Sequence, residues 1–282
     1  MSEHEVQTGT VAATGEPISV AHALYLKKLK REKTLVRLTR ILVLVLLFVL
    51  WEVLADARII DPFITSQPSR VVDTIKTLYA EGVLFTHIGI TCLETIIGFL
   101  LGTVLGVLIA VALWWSEFLS QVSEPYLVVL NSLPKIALGP VFIVWIGAGP
   151  VAIIAMTLAI SLIVTILEVL NGFVNTDPDK IKLVRSFGGT KCQVLTKVLL
   201  PASFPNIINA LKVNVGLSWV GVIVGEFLVS KAGLGYLIVY GGQVFKLDLV
   251  MTSVVILAVA ATLMYQGVVY FEQWVLKRSR FI

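Results

Sequence analysis

Six ionisable side chains, Glu52, Glu94, Lys135, Glu168, Lys212 and Glu226, lie inside long apolar runs of this 282-residue sequence. Where such a run crosses a bilayer a charge is costly, so each is a candidate for ion binding, proton transfer or a structural ion pair. Lys135 sits beside Asn131, Ser132, Pro134 and Pro140, and the prolines free backbone carbonyls that can line a polar path. A lone cation there either attracts an anionic solute or pairs with Glu168 or Glu226 of a neighbouring helix. Asn214 and Ser218 are four apart, hence on one helix face; they either line the same path, with Glu226, or bond to adjacent helices. Glu52 and Glu94 read as structural. Gly233-Leu234-Gly235-Tyr236 offers a backbone nest for an anion or simply a tight turn.

Other chemistries lack their residues. The three histidines, His4, His22 and His87, are scattered, and neither H-E-x-x-H nor C-x-x-C spacing occurs, so no metal centre is expected. The P-loop G-x-x-x-x-G-K-[ST] is missing too, so any ATP hydrolysis that drives this chain must reside in another polypeptide. An intramembrane enzyme would need paired catalytic groups at depth, and none is found.

The composition agrees: 57% of residues are hydrophobic and 14% charged, with a mean hydropathy of +0.93, whereas a soluble domain is about a quarter charged. A soluble enzyme, a nucleic-acid reader and a disordered scaffold are excluded. The net charge of +4 matters through its placement. Six stretches approach the roughly 20 apolar residues that span a bilayer: 38–55, 88–115, 125–146, 151–173, 207–229 and 249–275. The third is the least regular. The first reads as a span rather than a cleaved signal peptide, despite Ala55-Asp56-Ala57 after it, because the segment preceding it is longer than a whole typical signal peptide. Seven Lys and Arg residues lie in the amino-terminal segment up to Arg40, at the start of span one, five lie between spans four and five, and three (Lys277, Arg278, Arg280) follow span six. The opposite side holds Arg58, Arg70, Lys76, Lys231 and Lys246. Both termini are therefore expected in the cytoplasm, and Cys92, at depth, cannot meet Cys192, in a basic loop. Residues 1–20 read as a mobile tail within a basic amino-terminal segment 1–36, and 37–282 as the membrane domain.

Gly98, Gly102, Gly106 and Ala110 recur every four residues in span two, a face on which another helix can approach closely. The loop 174–206 carries capping signals. Asp177-Pro178 starts a helix with Ile181, Val184 and Phe187 as an apolar stripe, and Gly188-Gly189 ends it. Thr190-x-x-Gln193 fits a capping box for a second helix with Val194, Leu195, Val198 and Leu199 on one face, which Pro201 and Pro205 are expected to stop before the next span. Trp114-Trp115 reads as an interfacial anchor.

Lys182-Leu183-Val184, three residues, Gly188, nine residues, then Val198-Leu199-Leu200-Pro201 resembles the E-A-A, G, I-x-L-P signature of permease subunits from binding-protein-dependent ABC importers. Spacing, glycine and Leu-Pro match; the E-A-A triplet does not. The stretch 131–142 with Trp145-Ile146-Gly147, and Glu226-Phe227-Leu228 before Gly233-Leu234-Gly235-Tyr236, resemble the nitrate/sulfonate/taurine/aminopyrimidine group of that family. The resemblance covers about 51–280. It implies an all-α, type I (MetI-like) permease fold of about six transmembrane helices in the inner (plasma) membrane. It also implies a homodimeric or pseudo-dimeric pore without a cofactor of its own, two cytoplasmic ATP-binding subunits holding ATP and Mg, and an extracytoplasmic solute-binding protein; no nucleic acid is involved. The ATPase would be met by Lys182, Leu183, Val184, Arg185, Gly188, Gly189, Thr190, Val198, Leu200 and Pro201. Lys182, where the family tends to carry Glu, either opposes an acidic group there or faces solvent. The alternative is an ion-coupled secondary transporter with Glu94, Glu168 and Glu226 as a proton relay, but it leaves the loop unexplained and predicts an internal repeat that is not evident.

Overall fold

The computed structural model describes the backbone over 20–279 and side chains over 24–275. The tail expected over 1–20 lies, apart from Val20, outside the described residues, as do the side chains of Lys277 and Arg278 and all of Arg280. The described residues are helical and joined by short turns, and the chain divides into two units.

One unit comprises Met1–Pro62 with Gln67–Ser69, and its principal element is α1, Val20–Asp56. Neither glycine nor proline interrupts that stretch, and its Leu, Lys and Arg residues favour helix. The basic run is therefore helical from Val20 onward and continuous with the apolar run, rather than a separate segment to residue 36. Glu52 receives the Ser69 amide at 3.0 Å and the Gln67 amide group at 3.1 Å, a structural role as expected.

Short helices α2 (Pro62–Thr65) and α3 (Pro68–Ala80), whose first residues belong to the first unit, lead into α4 (Leu84–Trp115) of the second. Next come α5 (Glu117–Ser132), a 3-10 turn (Lys135–Leu138) and α6 (Gly139–Ile146). α7 (Pro150–Val174) precedes the loop helices α8 (Pro178–Ser186) and α9 (Lys191–Val194). A π turn (Leu195–Leu199) then opens into α10 (Leu200–Val229), followed by α11 (Leu234–Gln243) and α12 (Leu247–Ser279). Among the described residues five helices are long and apolar enough to cross a membrane, six if the bent pair α5–α6 counts as one span. The pair bends by 90° where Leu133, forced towards extended geometry by the following Pro134, takes φ −64° and ψ 137°. The irregular third stretch is thus two helices bent at Leu133, not one straight span.

Helix α7 lies between α4 and α10. A Cβ added to Gly98 would fall 2.5 Å from Thr157 Cγ2, one on Gly102 2.6 Å from Ser161 Oγ, and one on Gly106 2.6 Å from Thr165 Cγ2. From α10, a Cβ on Gly221 would stand 2.5 Å from Thr157 Cα. Lipid offers no hydrophobic drive between such helices, so close backbone approach through small residues supplies the packing. Thr157 and Thr165 return their hydroxyls to Ile153 and Ser161 carbonyls, each at 2.9 Å, which satisfies them inside the seam. At the far end from the 174–206 loop, Leu78, Leu84, Leu234, Leu237 and Leu249 gather α3, α4, α11 and α12 around a second core.

Candidate functional site

The 174–206 loop closes each of its helix ends. Asp177 Oδ1 accepts from the Asp179 amide at 2.9 Å with Pro178 in the first turn, and α8 ends in a Schellman arrangement. Gly189 N donates to Val184 O and Gly188 N to Arg185 O, both at 2.9 Å, with Gly188 at φ +76°. Thr190 then caps α9 reciprocally. Its amide donates to Gln193 Oε1 at 2.7 Å, and its hydroxyl accepts from the Gln193 amide at 3.3 Å. Few backbone groups are left to water, which removes the usual source of loop mobility.

Pro201 and Pro205 do not stop the second loop helix. Residues 191–229 run on as one continuous helical stretch, and the Leu200 amide reaches Leu195 O across the π turn. That wider turn lies immediately before Pro201, which sits in the first turn of α10, where its missing N–H and bulky ring are tolerated.

The apolar faces point inward. Val194, Leu195 and Leu199 are buried against Ala110 of α4, Val169 and Phe173 of α7 and Ala210 of α10, and Ile181 and Val184 of α8 pack onto the same core. Trp114 meets Phe173 edge-to-face at 6.5 Å. Lys191 Nζ stands 5.7 Å from both the Trp114 and Trp115 rings and donates to Trp115 O at 2.5 Å. The tryptophan pair expected as an interfacial anchor therefore also seats the loop. Burying a side chain such as Leu199 or Phe173 contributes about 1.5–3 kcal/mol. Detaching the loop from the bundle would thus cost several times thermal energy.

This corrects the expected stripe of Ile181, Val184 and Phe187. The first two face the core, whereas Phe187 is 83% exposed and Leu183 57%. Of the remaining residues assigned to this surface, Lys182, Arg185, Gly188, Thr190 and Pro201 are exposed, while Val184, Gly189, Val198 and Leu200 are half-buried. Lys182 Nζ lies 3.1 Å from Asp179 Oδ1, with both side chains largely in solvent.

The intramembrane polar residues separate into two sets. Lys135 and Asn131 stay together at the α5–α6 break, where Lys135 Nζ donates to Asn131 O at 3.0 Å and Asn131 Oδ1 at 3.4 Å. The alternative ion pair to Glu168 or Glu226 is not formed. Glu168 lines a groove with Glu124 and Asn171, and Glu226 is engaged elsewhere. Asn214, Ser218 and Glu226 are each at most 1% exposed, so within this chain they line no open path. Asn214 Nδ2 donates to Thr103 Oγ1 of α4 at 2.7 Å, the helix-bonding alternative.

Glu226 instead closes the start of α11. Its Oε1 accepts from Thr91 Oγ1 at 2.6 Å and its Oε2 from the Gly235 amide at 2.5 Å. The Leu234 amide reaches Thr91 Oγ1 at 2.7 Å and the Gly233 amide His87 Nδ1 at 2.9 Å. The amides of the Gly233–Gly235 turn are therefore divided among three acceptors, His87, Thr91 and Glu226, at the start of α11, so the turn is not an open anion nest. A Cβ on Gly235 would lie 2.7 Å from Oε2. Neither Thr91 nor His87 was legible as a partner, although Glu226 and the two glycines stand close in sequence. The Lys212–Glu272 pair, 2.7 Å across α10 and α12, was also missed, since Glu272 lies near the end of the last apolar run.

Three comparisons bear on this arrangement. The family described as "binding-protein-dependent transport system inner membrane component" matches residues 102–280. The putative aliphatic sulfonates transport permease protein SsuC of Bacillus subtilis is 29% identical over 228 residues, 81% of this chain and 83% of that one. The formylaminopyrimidine transport permease protein ThiX of Halalkalibacterium halodurans is 31% identical over 193 residues, 68% and 76% respectively. Among solved structures, the MetNI methionine ABC transporter in an inward-facing conformation aligns with a TM-score of 0.53 at 21% identity, covering 67% of this chain and 97% of that one.

Proposed function

Because the chain belongs to the family of binding-protein-dependent transport system inner membrane components, we propose that loop 174–206 is its lever against a cytoplasmic ATPase and that its cargo is a small sulfonate. The chain is an integral membrane protein and a permease subunit of an ATP-driven importer, with an ATPase and a solute-binding protein as partners. In the proposed assembly two copies of the permease pair in the inner membrane with both termini cytoplasmic, and two ATPase subunits hold the ATP and Mg. The observation that carries the reading is the division of the loop: Val194 and Leu199 are fastened against Phe173 of α7 inside the bundle while Phe187 and Leu183 project outward. A surface displaced at Phe187 then moves α7 and α10 as bodies, since a two-sided packed core does not absorb the displacement.

The sulfonate assignment rests on the relative named for aliphatic sulfonates and on Lys135. That cation stands half-exposed at the α5–α6 break, and no acidic group within ion-pair reach of it is found among the described residues. A fixed cation where backbone carbonyls are freed suits an anionic head group. The test is uptake by proteoliposomes holding the permease, its ATPase and its binding protein. Uptake of an alkanesulfonate is expected to require internal or external ATP according to which face the ATPase occupies, and to persist when the proton gradient is collapsed. Uptake that continues without ATP and stops on collapse of the gradient would overturn the lever and restore the ion-coupled alternative. Lys135→Ala is expected to lower sulfonate uptake while leaving ATPase assembly intact; unchanged uptake removes Lys135 from the path.

A further inference from the structure

A recess of about 270 Å³ opens where α4, α5, α7 and the loop helices meet. Its walls differ in character. Leu113, Leu170 and Val174 form the side towards the membrane-spanning part of the bundle, and Arg185 of α8 and Lys191 of α9 form the side towards the loop. Lys191 is held in place: one N–H is given to Trp115 O, both indole rings lie 5.7 Å away, and two further N–H donors remain. Arg185 has no ion-pair partner among the described residues. Glu117 also lines the recess and stands in no salt bridge with either cation among the described residues; with its carboxylate counted, the two cations still leave the recess net positive.

Two cations beside an apolar wall, at the level where tryptophans end a spanning helix, match the anatomy of a phosphate ester attached to a lipid. We infer that this recess binds a phosphate group, delivered by the headgroup of an anionic phospholipid or by a free phosphate ester, and that it clamps the loop helices to the end of α4. Arg185 and Lys191 would share the phosphate oxygens through charge-assisted hydrogen bonds, and the leucine and valine wall would take the glycerol and first methylenes of a lipid. The transport reading neither requires this site nor supplies it.

Because Arg185 also belongs to the surface proposed for the ATPase, the readout is binding to the full chain alone. Delipidated protein in detergent is offered equal amounts of dioleoyl-phosphatidylglycerol and dioleoyl-phosphatidylcholine, and retained lipid is counted by native mass spectrometry. One phosphatidylglycerol per chain is expected to be kept in preference to phosphatidylcholine. Lys191→Gln and Arg185→Gln are each expected to weaken retention about fivefold, and Lys191→Arg to restore it. Displacement by excess glycerol 3-phosphate identifies the free ester as the occupant; retention against it identifies the lipid. Equal retention of the two lipids, or retention unaffected by either Gln variant, overturns the inference. Should Lys191→Gln unfold the chain, the exposed and unpaired Arg185 keeps the test decisive, with helical circular dichroism confirming its fold.

Discussion

Phe187→Ala is the sharpest probe of the proposed lever, because its two consequences are opposite in kind. Phe187 is 83% exposed and contributes nothing to the core that holds the loop, so its loss should alter the chain's own stability by no more than about 0.5 kcal/mol. If the ATPase covers that ring, assembly loses the burial of a phenylalanine, about 1.5–3 kcal/mol, which corresponds to roughly tenfold to hundredfold weaker association. The assay titrates purified ATPase onto permease in nanodiscs and compares Kd for wild type and variant, alongside thermal unfolding of the permease alone. Leu199→Ala supplies the contrast: Leu199 is fully buried, so the variant should lose about 2–5 kcal/mol of stability through the cavity it opens under the loop. Unchanged affinity for Phe187→Ala, with uptake also unchanged, refutes the contact. A large fall in the permease's own stability in that variant refutes the assignment of the ring to an outer surface.

Two further substitutions test the interior. Gly102→Val should be destabilising by at least about 1–3 kcal/mol, since the new Cβ would stand 2.6 Å from Ser161 Oγ, whereas Gly216→Ala, with no atom within 4 Å of its added Cβ, should be neutral or stabilising by up to about 1 kcal/mol; unfolding midpoints in one detergent decide between equal and unequal effects. Glu226→Leu removes the acceptor of the Gly235 amide and should cost about 1–3 kcal/mol for that buried donor, while the Thr91 hydroxyl keeps the His87 carbonyl at 3.2 Å. Faster hydrogen exchange at the start of α11 is the expected sign, and unchanged protection there would show that the turn does not need the Glu226 side chain.

The helices and the glycine seam were legible because each rests on local rules. The four-residue register of Gly98, Gly102 and Gly106 marks a face without reference to its partner, and Asp177, Gly188 and the Thr190–Gln193 box mark ends that depend only on neighbouring residues. What could not be read was which way a face turns. Ile181, Val184 and Phe187 fit one stripe by spacing, but the Schellman turn at Gly188 places Phe187 at the end of α8, past the last residue that the core can reach. The same limit explains Glu226, whose partner Thr91 comes from a helix more than 130 residues earlier. It also explains the continuity of the helix past Pro201, since a single π turn, invisible to periodicity, accommodates the proline.

Magnitudes also settle how much the departure from E-A-A at 182–184 matters. Lys182 makes one solvent-exposed ion pair with Asp179, and such pairs contribute about 0–1 kcal/mol. At position 183 the substitution places a leucine, 57% exposed, where the signature has alanine, and so adds apolar area beside Phe187. At 184 the valine packs inward, where Gly189 is so close that a Cβ on it would lie 2.5 Å from Val184 Cγ1. A larger residue at 184 therefore tightens the turn rather than opening it, and Gly189 must stay a glycine for that reason. The triplet thus exchanges an acidic side chain for a cation and a small side chain for an exposed leucine on an equally stiff support, and under the proposed lever the added contact with the partner is the apolar one at Leu183.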